Sequence, residues 1–342
     1  MMDRSGAAAY VNAKAGGMLK KSFVGPRAIR LFAVHSLPEL WSLLFESEVP
    51  AIPEVLLAQR IEQEAQFRFI TQYIKLVENY SHPDDIMLSL LRFFDFDNLK
   101  QIGAALANRE TQMPAIADIR PYNLLDYSAW PNVAAITKHS QLSWYNTVPE
   151  ISGQQKLDNR LDLQYLQLVW DSVQTLPGPE REPVEHLIRN DFIMKNILWA
   201  LRLKVYYGMK PDEILPRLAF ADAAPDVRNA FAGPAVKILE KDINSWNDWS
   251  DWKYVRLLNH HEEGAVWTVD PRWVEQASKK EQNNEAMKKF HQYPLTAMVL
   301  VTWFKIKQNE LDCIRTATEG LRLNADEAQV MEFAGVTPGR QE

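Results

Sequence analysis

Residues 90–106 read "LLRFFDFDNLKQIGAAL". The apolar spacing predicts a helix, with an inward stripe through Leu91, Phe94, Ile102 and Ala105. Asn98 falls in the middle of that stripe. A buried amide is costly unless its donor and acceptor are both used, so this residue either finds partners inside or turns partly to solvent. Whether the chain repeats the arrangement decides the architecture.

Two further stretches carry it. "HLIRNDFIMKNILWALRL" at 186–203 aligns Asn196 with Asn98, Phe192 with Phe94, Ile197 with Leu99 and Ala200 with Ile102. "TWFKIKQNELDCIRTATEGL" puts Cys313 at the Asn position, followed by Ile314 and Ala317, and Lys307 and Glu310 stand for Arg92 and Asp95. A basic and an acidic residue three apart on one helical face favour an ion pair, expected here at the surface and worth little. Upstream of each anchor lies another amphipathic segment: "LAQRIEQEAQFRFITQYI", "LDNRLDLQYLQLVWDSV" and "VDPRWVEQASKKEQNNEAMKKF". A helix pair that cannot bury its apolar face alone needs neighbours of its own kind. The expectation is an all-α fold of three related units, 1–112, 113–215 and 216–342, the last with a Trp-rich insertion and a short tail.

Apolar residues make up 46% and charged residues 24% of the 342, ordinary values for a chain with a real core. A net charge of −6 and a pI near 5.7 argue against nucleic acid as a partner, since that affinity leans on clustered Lys and Arg. Cys313 is the single cysteine, which excludes an internal disulfide, and "MMDRSGAAAYVNAKAGG" lacks the apolar core of a secretion signal. A cytoplasmic location is expected. The longest apolar run, "PLTAMVLVTWF", ends at Lys305 and falls short of the roughly 20 residues that span a bilayer.

Helix entrances are marked by Ser36 with Glu39 three residues on, and by Ser81 with Asp84. Pro and Gly gather in "VGPR", "LPGPEREP", "MKPDEILP" and "AGPA", which read as connections.

These segments resemble the C subunit of bacterial and archaeal V-type (A-type) rotary ATPases, similar to subunit d of vacuolar ATPases. Tyr10, Asn12, Ala13 and Lys14 in "AYVNAKAGGMLKKSF" match the family's opening helix, and Arg92, Asp95, Asn98 and Leu99 match its first anchor helix. Leu161, Asp162 and Tyr165 in "RLDLQYL" resemble its middle signature, and Pro294, Lys307, Glu310, Ile314 and Arg315 its closing helix. Ile193 stands where an acid is expected, Cys313 where Asn is usual, and 245–275 has no obvious counterpart. The resemblance implies a funnel of three subdomains about a pseudo-threefold axis. It would be a socket between the central shaft, subunits D and F, and the membrane proteolipid ring. It would be peripheral to the membrane, with no catalytic residue, cofactor or metal of its own. Asn98 and Asn196 would then set the register of the repeat where helices of adjoining units cross.

Other chemistry is weak. "GGMLKKS" lacks the Gly before Lys and the preceding strand of a phosphate loop. His260 and His261 in "NHHEEG", with Glu262 and Glu263, could serve a metal-dependent hydrolase, but adjacent residues diverge on a helix. Asp95 and Asp97 diverge in the same way. Trp246, Trp249 and Trp252 form a stripe that is either a partner face or, by preference, core packing. A generic helical-repeat adaptor is the remaining rival.

Overall fold

The computed structural model describes residues 4–262, 264 and 266–336, and no strand occurs among them. The chain opens with α1 (Arg4–Lys20), α2 (Leu37–Leu44), α3 (Glu54–Val77), α4 (Asp85–Leu91) and α5 (Phe93–Ala107). After the short α6 (Val133–Thr137) come α7 (Gln154–Gln174) and α8 (Gly178–Tyr207). Four short helices follow: α9 (Pro211–Ile214), α10 (Pro225–Phe231), α11 (Gly233–Leu239) and α12 (Trp246–Trp249). The chain closes with α13 (Pro271–Gln292), α14 (Met298–Arg322) and α15 (Glu327–Phe333).

The three upstream amphipathic segments are α3, α7 and α13. α3 packs on α14 and on α4, which leads into the anchor helix α5; α7 packs on α4, α5 and α8; and α13 packs on the anchor helices α8 and α14. The contacts therefore return to α14 and make a closed circuit. Helices with one apolar face each can bury it in this way without a sheet or a second layer.

Three sequence expectations change. The helix predicted across 90–106 breaks at Arg92. There the Asp95 amide turns back to the Arg92 carbonyl at 2.9 Å, a three-residue closure that tightens the turn between α4 and α5. Ser81 does not cap; α4 begins at Asp85, and Asp84 pairs instead with Arg4 at 3.2 Å. Ser36 does accept the Glu39 amide, at 3.4 Å, while Glu39 accepts from the His35 amide at 2.8 Å. Finally, three of the Pro-rich "connections" lie within helices. Pro179 opens α8, Pro211 opens α9 and Pro234 opens α11, positions where the missing N–H has no intrahelical partner to lose. Pro183 lies inside α8, an early turn where it removes one bond.

Two cores result. The larger holds α1–α5, α7, the start of α8 and α14, with Tyr73, Phe94, Trp303 and Phe304 fully buried together. The smaller joins Ile197, Ala200 and Leu201 of α8 to α11, Trp249, Trp252, Trp267 and Val274. The Trp-rich segment thus packs as core, and on α8. Trp249 and Trp252 meet edge to face at 5.3 Å, and the Trp249 indole donates to the Asp242 carbonyl at 2.7 Å. α15 folds back on α14 at Gly320, where a Cβ would come within 2.7 Å of Val330.

Candidate functional site

Asn98 is fully buried and both ends of its amide are used. Its Oδ1 accepts from the Ala117 amide at 2.8 Å while its Nδ2 donates to the Ala117 carbonyl at 2.8 Å. The side chain thereby pairs with the loop after α5 as a strand neighbour would, satisfying a backbone segment that has no ladder of its own. Nδ2 also reaches the Tyr127 hydroxyl at 2.7 Å, and that hydroxyl donates to Asp95 Oδ1 at 2.5 Å. The Leu124 amide donates to the second Asp95 oxygen at 2.6 Å. Burial pushes the Asp95 carboxyl up to about 6, against the pull of the Tyr127 and Leu124 hydrogen bonds. Burial also raises the Tyr127 hydroxyl, with the Asp95 charge adding to it. Arg92, at the helix break, leaves its Nε buried without a partner.

Asn196 is likewise fully buried. Its Oδ1 accepts from the Ala219 amide at 2.7 Å, and its Nδ2 donates to the Ala219 carbonyl at 3.0 Å and to the Phe231 carbonyl at 3.1 Å. The same two backbone groups of one alanine are held in both places. Ile193, where Asp95 has its counterpart, is buried in the smaller core.

The third position differs. Cys313 is buried, its thiol 4.0 Å from the Asn309 amide, and burial pushes that thiol up to about 12. Backbone is gripped by the acid instead. Glu310 accepts from the Phe23 amide at 2.5 Å and pairs with Lys307, which also donates to Ser22 Oγ at 3.1 Å. Lys307 and Glu310 were expected at the surface, but are 7% and 4% exposed because the segment after α1 covers them. A buried pair of this kind is strongly destabilising to break.

The family-matching N-terminal residues lie on α1. Tyr10 is exposed and Lys14 sits over its ring at 5.1 Å, while Asn12 is half-buried. Tyr165 of α7 is wedged between Phe93 and Phe96, and Asp162 pairs with Lys100 at 2.7 Å. Arg315 lies 3.9 Å from Glu62 and 3.5 Å from Gln66 of α3.

Arg315 also lines a cleft of about 350 Å3 walled by α3, α5, α8, α13 and α14. Its charged lining is Asp191, Lys195, Lys279, Asp312 and Arg315. Desolvation lowers the Lys195 amine and raises the Asp312 carboxyl. Asp191 pairs with Lys305, and Lys279 lies 3.9 Å from Asp312. The cleft residues Asp191, Lys195 and Lys279 carry no motif; only their shared position on inward helix faces could have pointed to them.

The histidine pair does not converge. His261 stacks on Trp246 at 4.9 Å, His260 is exposed, and Glu263 lies outside the described residues. Among the described residues no group of three His, Cys, Asp or Glu side chains could hold a metal. Nor is any helix among them long and apolar enough to cross a membrane.

An all-helical circuit with a charged cleft, in which the buried Asn98, Asn196 and Glu310 hold backbone, has the arrangement of a rigid helical scaffold. The chain belongs to the ATP synthase (C/AC39) subunit family, whose model matches residues 8–333. That family is the C/d subunit of V/A-type ATPases. The chain is also similar to an uncharacterized protein of Treponema pallidum (strain Nichols), 25% identical over 334 residues that cover 98% of each chain.

Proposed function

We propose that this chain is a non-catalytic central-stalk subunit of a V/A-type rotary ATPase, seated between the D and F shaft subunits and the proteolipid ring. In this role it transmits rotation and performs no chemistry of its own. ATP hydrolysis or synthesis in other subunits is thereby linked to proton or sodium transport. The observation that carries the reading is the cleft. It draws Asp191 and Lys195 of α8 together with Lys279 of α13 and Asp312 and Arg315 of α14 onto one opening, which suits a polar, reversible protein contact. Buried side chains that clamp backbone, as Asn98 and Asn196 do, suit a part that must carry load without changing shape.

The test is association of the purified protein with the D and F subunits of the same organism, followed by sedimentation or calorimetry with and without ATP. Saturable one-to-one binding, indifferent to ATP, is the expected result. No binding at low or moderate salt would remove the shaft-docking half of the reading and leave a helical adaptor.

A further inference from the structure

Residues 4–38 contain no Asp or Glu but six Lys and Arg, in a chain whose net charge is −6. Four of these, Lys20, Lys21, Arg27 and Arg30, lie exposed at one corner, where α1 ends and the chain turns against α14. Among the described residues none of the four makes an ion pair. Some exposed arginines elsewhere do, such as Arg60 with Glu64, Arg120 with Asp118, Arg256 with Glu281 and Arg322 with Glu319, whereas others such as Arg109, Arg181 and Arg228 stand singly; what sets this corner apart is four such cations together. Glu46 shares the rim of a neighbouring cavity with Lys21 and leaves it unpaired.

Helix capping accounts for part of the cluster. Arg27 donates to the carbonyls of Leu19 and Ser22 at 2.7 and 2.9 Å, and Lys20 sits in the last turn of α1, where a cation suits the helix dipole. Arg30 likewise sits in the last turn of the 3-10 helix Gly25–Leu31, and Lys21 lies one residue past the end of α1, so the helix ends account for three of the four cations and leave Lys21. Like charges gathered without counter-charges repel, and complementary potentials across an interface fix partner and orientation. Two of the four are also held in place: Arg27 by those carbonyls and Arg30 over the Phe23 ring at 5.6 Å. A positioned guanidinium suits two-point contact with a carboxylate. Phe23 is half-buried beneath Arg30, so the corner offers no free aromatic side chain to enter a bilayer.

We propose that Lys20, Lys21, Arg27 and Arg30 form a docking surface for a carboxylate-rich face of another protein chain, separate from the charged cleft. The surface rests on the reading above only for which chain that is. Cross-linking, charge reversal, lysine acetylation and vesicle binding test it, the first on the assembly isolated from the native membrane. Treatment with a water-soluble carbodiimide, which joins an amine to a carboxylate it touches, is expected to link Lys20 or Lys21 to Asp or Glu of a second polypeptide. Lys20→Glu/Lys21→Glu/Arg30→Glu is expected to weaken association with that polypeptide at least tenfold. A control of equal charge change, Lys138→Glu/Lys156→Glu/Lys237→Glu, is expected to leave it within twofold, and both variants to melt like the parent.

Equal acetylation of Lys20 and Lys21 in the free and assembled protein would overturn the proposal. So would a tenfold loss of binding to phosphatidylglycerol vesicles in the first variant with no carboxylate cross-link. A link to a chain that is not a rotary-motor subunit would keep the surface and sink the rotor reading. Saturable D and F binding with no link at the corner would do the reverse.

Discussion

Asn98 and Asn196 hold the same object in different surroundings. Each grips the N–H and carbonyl of one alanine in a non-helical stretch downstream of its helix: Ala117 after α5, and Ala219 beyond α9. Around Asn98 the grip extends through Tyr127 to a buried carboxyl; around Asn196 it extends only to the Phe231 carbonyl, with Ile193 where the acid would be. The backbone hold is the common element, and the ionisable group is an addition. At the third position the priorities reverse: the amide is gone, the acid remains, and the segment it grips comes from the other end of the chain. One geometric task, fixing a loop against a helix, is therefore met by an amide, by an amide with an acid, or by an acid with a lysine.

Breaking the third hold should cost most. Glu310→Ala strands the buried Lys307 amine and frees the Phe23 amide, so a loss of about 3–5 kcal/mol is expected by denaturant unfolding. Lys307→Met/Glu310→Leu, which removes both charges, should recover much of that loss. An equal loss in the double variant would show that the pair itself is not the source.

Asn98→Ala comes next, at about 2–4 kcal/mol, because it orphans both backbone groups of Ala117 and one contact of Tyr127. Asn196→Ala should cost slightly less, about 2–3 kcal/mol. If Asn196→Ala proved near neutral, the equivalence of the two clamps would fail.

Packing against the first clamp helix offers a smaller effect. A Cβ on Gly103 would approach the Tyr145 hydroxyl to 2.1 Å, and that hydroxyl is buried without a hydrogen-bond partner. Gly103→Ala should cost about 1–3 kcal/mol, and Tyr145→Phe should rescue part of it, a coupling that a thermodynamic cycle reads directly.

The smallest expected effect is on titration. The folded state holds the Asp95 proton up to about pH 6, above the ordinary 3.8. Below the ordinary value both states are protonated, so this group adds no pH dependence. As pH rises from there to about 6 the unfolded chain ionises first, and stability falls. Tyr127→Phe removes a hydrogen bond that favours the carboxylate. The Asp95 midpoint, followed by carboxyl-carbon NMR, should therefore move above 6. A downward move would contradict the buried hydrogen-bonded geometry.

Much of this was legible in the residues. Asn98 on an apolar stripe announced a buried amide, and the same stripe led to Asn196. Their partners were not legible, because a backbone amide such as that of Ala117 has no side-chain signature. The Lys307–Glu310 spacing fits a surface pair and a buried pair equally; the difference is made by Ser22 and Phe23, which meet α14 only after the whole chain has closed. The break at Arg92 was hidden because the apolar period runs through it. The Trp spacing did announce a core stripe, but its attachment to α8 depended on the path of the short helices α9–α11 and the loops between them.

Hydrogen exchange at Ala117 and Ala219 tests the central claim most directly. Both amides lie outside helices, where exchange is ordinarily fast. The two are expected to be protected to a similar degree, comparable with the helices that carry the clamps, and each to lose that protection when its own asparagine is replaced. Exchange at either amide as fast as at the open loop residues beside it would contradict the account.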